Sequence, residues 1–333
     1  MIETTIRRAG EGDRATVGRL VGLLQDAEYG MHASRRTGST LPGNLVDELY
    51  RRTRVEQGGA ILLAETGGTV TGYIAFYPER QANIELRPEA YRFLYVADLC
   101  VVPEARGQRI AGLLLAEAET ICRRLCLPRI ALGVLAANPA ARAAYDRAGY
   151  QPYELWLEKS IATSPTLAGT VAGLTFRPLR DGDRATMLRF LRELSDAEAL
   201  YHWAMRSSSD IAMADVDRTI AEIAAEDGSV IVAELDGRPV GYAGVVLQDA
   251  ADEFELKDAW RQRGFITDMF VAEAGRRRGI GRALIAECDR YVAKSGIDWQ
   301  QICVSPDNAP AIALYRKAGF GDYEIVLEKR LPR

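Results

Sequence analysis

The order in which apolar and polar positions change period along this chain predicts a fixed succession of elements, and the succession occurs twice. A short strand is expected at residues 5–8. An amphipathic helix follows, opened by Gly12-Asp13-Arg14-Ala15-Thr16, with Asp13 placed as its N-cap. Two strands come next, turned at Gly67-Gly68, and an apolar strand at 95–101 runs into a loop rich in Arg and Gly. A long helix over 110–125, another strand, a helix ending at Gly149 and a last pair of strands complete the unit. The second pass has its strand at 175–179, its N-cap at Asp183 and its turn at Asp236-Gly237. Its apolar strand covers 265–271, its long helix 280–294, and its last helix ends at Gly319. Each unit reads as α+β, a mixed and mostly antiparallel sheet flanked by helices.

Residue identities confirm the repeat. Gly12-Asp13-Arg14-Ala15-Thr16 returns as Gly182-Asp183-Arg184-Ala185-Thr186, and Asp26-Ala27-Glu28 as Asp196-Ala197-Glu198. His32 becomes His202, and Asn138, Tyr145 and Gly149 become Asn308, Tyr315 and Gly319, all at an offset of 170. A period that long is a duplicated domain, since solenoid repeats run about 20–50 residues. Residues 1–160 form the first domain and 174–333 the second. Residues 161–173, without a charge and rich in small side chains, read as a linker.

Composition narrows the partners. With 333 residues, 48% of them hydrophobic and 26% charged, the chain has material for two cores. The 42 basic and 46 acidic residues give a net charge of -4, which withholds the usual electrostatic warrant for nucleic acid or an anionic membrane. The imbalance belongs to the second copy, at -5 against +1 for the first. Cys100, Cys122, Cys126, Cys288 and Cys303 form no CxxC, and the two histidines lie far from them in sequence, so no metal site is expected. Cys122 and Cys126 are expected to face the same way within one helix. No apolar leader or 18-residue apolar run occurs, and the expectation is a cytoplasmic chain with reduced thiols.

The most informative segment joins the strand ending at Val271 to the helix starting at Ile280. It holds Arg276, Arg277, Arg278, Gly279, Ile280, Gly281 and Arg282. Two glycines permit close backbone approach, and free N–H groups at a helix start suit a diphosphate. Downstream, Asn308 opens a helix, Tyr315 lies seven residues on, and Gly319-Phe320 closes it. Strand, Arg-x-x-Gly-x-Gly, helix, strand, then Asn-x6-Tyr-x3-Gly-Phe resembles the GNAT superfamily of N-acetyltransferases, and each copy shows nearly all of it. The resemblance implies that the loop binds the pyrophosphate of acetyl-CoA as cosubstrate, that strands four and five splay, that Asn308 supports the pantetheine, and that Tyr315 protonates the departing thiolate. The alternative for Tyr315 is a core aromatic that packs its helix on the sheet. The matching set in the first copy is Val101, Arg106, Gly107, Gln108, Arg109, Ile110, Ala111, Asn138 and Tyr145. Arg109 stands where Gly279 does, and its side chain either crowds the phosphate path or points outward, so the first copy is read as a candidate for degeneracy and the second as the main active site.

On the acceptor side, a proton acceptor near the acyl carbon is needed to take a proton from the amine. Asp268, on the strand before the loop, and His202, after a D-A-E helix end, are the candidates, each with a structural alternative. The segment 248–264 carries Asp249, Asp252, Glu253, Glu255 and Asp258, and by position it borders an acceptor site for a cationic amine or is a solvated loop. The expected function is acetyl transfer from acetyl-CoA to a primary amine of a small molecule, by a monomer or homodimer, with no membrane partner. The alternatives are another acyl donor (a longer acyl-CoA or aminoacyl-tRNA, the one nucleic-acid partner in view) and a CoA-binding sensor or interaction protein without turnover.

Overall fold

A computed structural model of the chain describes residues 3–54, 57–81, 85–162, 171–251 and 253–331. Most of the predicted linker, residues 163–170, lies outside them, as does Asp252. The first copy runs β1 (Thr4–Arg8), α1 (Arg14–Tyr29), α2 (Leu45–Arg52), β2 (Ala60–Thr66), β3 (Thr69–Arg80), β4 (Arg92–Val101), α3 (Ile110–Arg124), β5 (Arg129–Leu135), α4 (Pro139–Arg147) and β6 (Gln151–Ser160). The second runs β7 (Leu174–Pro178), α5 (Arg184–Glu198), α6 (Met213–Ala225), β8 (Ser229–Leu235), β9 (Arg238–Asp249), β10 (Gln262–Val271), α7 (Ile280–Lys294), β11 (Trp299–Val304), α8 (Ala309–Lys317) and β12 (Gly321–Arg330).

Local chemistry explains the elements. In α1 the apolar residues Val17, Leu20 and Val21 recur at helical spacing on the buried face. The hairpin turns take positive φ at both central residues, 58° and 80° at Gly67-Gly68 and 51° and 76° at Asp236-Gly237, as a two-residue turn matching strand twist requires. Asp13 and Asp183 precede their helices but make no cap bond to them. Their carboxylates turn back instead to the amides of Gly10 and Arg180 and to Arg7 and Arg177. Cys126 does not share a helix face with Cys122, because α3 ends at Arg124 and Cys126 takes a positive φ of 53°.

One expectation is corrected outright. Each copy has a single last strand, and the partner that would make it a pair comes from the other copy. The order β1-β2-β3-β4-β5-β12-β6-β11-β10-β9-β8-β7 is one twelve-stranded sheet. β12 lies antiparallel to β5, from Glu324 opposite Leu135 to Arg330 opposite Arg129, and β6 lies antiparallel to β11, from Trp299 opposite Ser160 to Val304 opposite Leu155. β6 and β12 pair with each other at the centre. The last strand of each copy therefore completes the sheet of the other.

Strand alternation sorts the central residues. Leu155, Leu157, Ile325 and Leu327 join a core that also holds Leu114, Ile121, Leu284 and Val292 from α3 and α7, so one core spans both copies. The helices α1 and α2, and α5 and α6, cover two separate cores, around Leu20 and Tyr73 and around Phe190 and Tyr242. Glu154, Trp156 and Glu158, at the positions alternating with Leu155 and Leu157, lie outside that shared core, as do Glu324, Val326 and Glu328. The segment after β9 is not a free acidic loop. It docks on the first copy, where Arg36 N–H donates to Glu255 O at 2.9 Å and Lys257 N–H to Ser34 O at 2.8 Å. The equivalent pair, Arg206 N–H to Glu85 O and Arg87 N–H to Ala204 O, both at 2.7 Å, docks the first copy's segment on the second.

Candidate active site

The Arg/Gly loops of the two copies have nearly the same backbone. In the second, Arg277 and Gly279 take φ of 60° and 86°; in the first, Gly107 and Arg109 take 80° and 65°. Arg109 thus adopts the left-handed conformation of Gly279 and its side chain is exposed, so the substitution leaves the loop path intact. Arg276 Nε donates to Val271 O at 2.9 Å, and Arg106 Nε to Val101 O at 3.3 Å, which ties each loop to the strand it leaves. Among the described residues no carbonyl accepts from the backbone N–H groups of residues 277–281 or 107–111. Those donors, at the start of α7 and α3, are what an anionic group would take. Arg278 and Arg282 line a groove of about 700 Å³ together with Arg290 and Val171. A Cβ on Gly281 would come within 3.0 Å of Leu314; the first copy has Ala111 there and the smaller Ala144 at the position of Leu314.

Beside each loop the sheet forks. β10 and β11 pair in parallel only from Gly264–Ile266 to Gln300–Ile302, and β4 and β5 only from Leu94–Val96 to Ile130–Leu132. At the fork the register of β10 against β9 slips between Ile266 and Met269, and that of β4 against β3 slips between Ala75 and Phe76. The irregularity holds Asp268, whose carboxylate accepts from Tyr242 Oη at 2.7 Å and Thr267 Oγ1 at 2.8 Å. Asp98 accepts from Tyr73 Oη at 3.0 Å. Burial pushes Asp98 up to about 7. It raises Asp268 too, against the opposing hydrogen bonds of Tyr242 and Thr267. Glu198, at the end of α5, is pushed up to about 8 by burial and by the charge of Asp268. Tyr315 is buried, its ring meeting Phe320 edge-on at 6.1 Å, and burial raises its hydroxyl. Asn308 and Asn138 cap their helices, accepting from the amides of Ala311 at 3.2 Å and Ala141 at 3.1 Å.

A sequence profile of the Acetyltransferase (GNAT) family matches residues 31–150 and again 197–320. This chain belongs to the GNAT family. It is 26% identical over 320 residues to a protein named mycothiol acetyltransferase from Catenulispora acidiphila, covering 95% of this chain and 94% of the relative. A GCN5-related N-acetyltransferase from Sphaerobacter thermophilus superposes with a TM-score of 0.59 at 18% identity, over 98% of this chain and 95% of that one. A tandem GNAT protein from the clavulanic acid biosynthesis pathway gives 0.52 at 16% identity, over 99% and 100%. At those identities the two structures support the GNAT fold and its tandem arrangement.

The GNAT fork gathers Asp268, Tyr242, Glu198 and Tyr315, while His202 is held elsewhere. His202 Nδ1 accepts from the amide of Ala204 at 3.3 Å, so Nε2 carries the proton and donates to Glu328 at 2.8 Å. Its ring lies 4.4 Å from that of Tyr153, on the other copy's last strand. His32 repeats this with Glu158 at 3.1 Å and the ring of Tyr323 at 4.9 Å. Both histidines contact the exchanged strands, and the carboxyls of Asp268 and Glu198 lie at the fork instead. Sequence reasoning missed Glu198 and Glu28. Both stand in the repeated D-A-E motif, but a carboxylate at a helix end gave no sign that it would face the fork. Among the described residues no helix is long and apolar enough to cross a membrane.

Proposed function

We propose that this chain transfers an acetyl group from acetyl-CoA to a primary amine of a small molecule by direct attack. The observation that carries the reading is the fork past Ile266, which sets Asp268 beside a loop of unaccepted N–H groups at the head of α7. The residues present suit acetyl-CoA: residues 276–282 offer N–H groups and guanidinium groups to a diphosphate, and the strand edges beyond Ile266 and Ile302 offer unpaired backbone to an amide-bearing arm. When bound, acetyl-CoA supplies a thioester whose acyl carbon an amine can attack.

The chain's own residues then have distinct tasks. Asp268 and Glu198 accept the proton that the amine must lose, since an ammonium has no lone pair. N–H groups on the open side of β10 donate to an oxygen that gains negative charge. Tyr315, neutral throughout the working pH range because burial raises its hydroxyl, gives a proton to the leaving sulfur. The mycothiol acetyltransferase relative supports a small-molecule amine as acceptor. Five free cysteines, three of them buried, support a reducing, cytoplasmic setting. Tyr315→Phe tests the acid: kcat should fall by about 10²–10³, within the range of a lost general acid, with CoA affinity kept. An equal loss of both would assign Tyr315 to packing.

A further inference from the structure

The groove of the first copy is built by both copies and differs in charge from its counterpart. It encloses a cavity of about 430 Å³, the size of a small-molecule site, whose lining includes Glu28, Arg35 and Asp98 from the first copy and Glu255, Tyr323 and Glu324 from the second. Arg35 is 6% exposed, and among the described residues its buried Nε has no hydrogen-bond partner. Its nitrogens form ion pairs with Glu28 at 3.7 Å, Glu255 at 3.4 Å and Glu324 at 3.6 Å, and its guanidinium lies 5.8 Å from the ring of Tyr323. A buried guanidinium left in that state is costly unless something with acceptor oxygens completes it. Glu324 reaches this place because Gly133 beneath it has no side chain; an added Cβ would collide with its carboxylate. The second copy has Met205 where the first has Arg35, and Cys303 where it has Gly133.

The surrounding charge selects the kind of acceptor. One guanidinium faces Glu28, Asp98, Glu255 and Glu324, while Glu253 is taken by Arg263 and Glu48 by Arg51 and Arg52. Acidic side chains therefore outnumber guanidinium groups along the cavity, and a ligand carboxylate on Arg35 would meet three carboxyl groups already paired with it. A neutral hydroxyl or ether oxygen meets no such repulsion. We propose that the first copy's groove binds a hydroxylated primary amine, its ammonium against the carboxylates and its neutral oxygens accepting from Arg35. This rests on the acetyltransferase reading only for the expectation that an amine belongs here, and Glu255 and Glu324 make the site one that the first copy cannot form alone.

Calorimetric titration of the full chain tests it with D-glucosamine, putrescine and L-alanine as probes and CoA as a separate titrant. D-glucosamine should bind more tightly than L-alanine. Arg35→Met, which copies the second groove, should weaken D-glucosamine about tenfold, the worth of one hydrogen bond to a charged group, and tighten putrescine. Glu255→Gln, at a half-buried site that tolerates an amide, should weaken both amines. Tighter binding of L-alanine than of D-glucosamine, no binding of D-glucosamine, or an unchanged glucosamine-to-putrescine ratio in Arg35→Met overturns the proposal. Failure of CoA to bind would sink the acetyltransferase reading instead, because the amine ratio is measured without it.

Discussion

Replacing Glu328 by Ala isolates the joint between the two copies. Glu328, on β12, meets Arg129 of β5 at 3.2 Å, with side chains 7% and 1% exposed. Its other oxygen accepts from His202 Nε2 and Trp203 Nε1, both at 2.8 Å. Burial alone would raise the carboxyl, but these donors and Arg129 outweigh it and hold it below its ordinary range. Without Glu328, the guanidinium keeps Ala90 O at 3.4 Å and the faces of Phe93 at 4.3 Å and Tyr153 at 5.3 Å. Removing one partner of a buried pair costs about 3–5 kcal/mol because the other charge stays buried, with the lower end expected here because the ring faces still partner the guanidinium. A net loss of about 3 kcal/mol is expected from urea unfolding, with tryptophan fluorescence and circular dichroism moving together because one core spans both copies. Arg129→Met in the same chain should recover most of it, as an apolar side chain is accepted at the equivalent Trp299. A loss under 1 kcal/mol, or no recovery, would refute the reasoning that an uncompensated charge is the cost.

Two further outcomes follow from particular contacts. A Cβ on Gly264 would overlap the methyls of Val292, so Gly264→Ala should cost about 1–3 kcal/mol. Val292→Ala should relieve it in the double variant, read from urea midpoints, since the first copy pairs Leu94 with the smaller Cys122. Glu198, pushed up to about 8, ionises only as pH rises through that value. Turnover should rise with it when the acceptor amine has a pKa below 6, and Glu198→Gln should flatten the profile. The raised value also means that folding retains a proton the unfolded chain releases, so stability falls from about pH 4.5 toward 8, and Glu198→Gln should reduce that slope by its own share while the shares of Asp98 and Asp268 remain.

How far the sequence could be read depended on whether the signal was local. The Arg/Gly loop, the hairpins at Gly67-Gly68 and Asp236-Gly237 and the helix from Ile280 to Lys294 are each set by neighbouring residues, and they appear where expected. The exchange of β6 and β12 was not legible. Alternation around Leu155, Leu157, Ile325 and Leu327 specifies a strand with one apolar face, and that face is buried equally well whichever copy's sheet receives it. For the same reason the sequence leaves His202 open between a proton acceptor and a structural residue, because the carboxylates that His32 and His202 meet, Glu158 and Glu328, lie on strands far along the chain. Arg109 misled in the other direction. A side chain at a glycine position could crowd the loop or point outward, and the structure holds it at φ 65° with the residue exposed. The acids of the grooves were visible as letters, but Glu85 and Glu255 lie on segments that reach across to the other copy.

The most direct test of the central claim is thiol release from acetyl-CoA by the full chain, measured with and without a panel of primary amines. The account predicts release that depends on the amine, saturates with it, and yields the N-acetylated product in equal amount, with Asp268→Asn and Asp98→Asn each lowering the rate. Tight CoA binding with no amine-dependent release across the panel would contradict it and leave a CoA-binding protein without turnover.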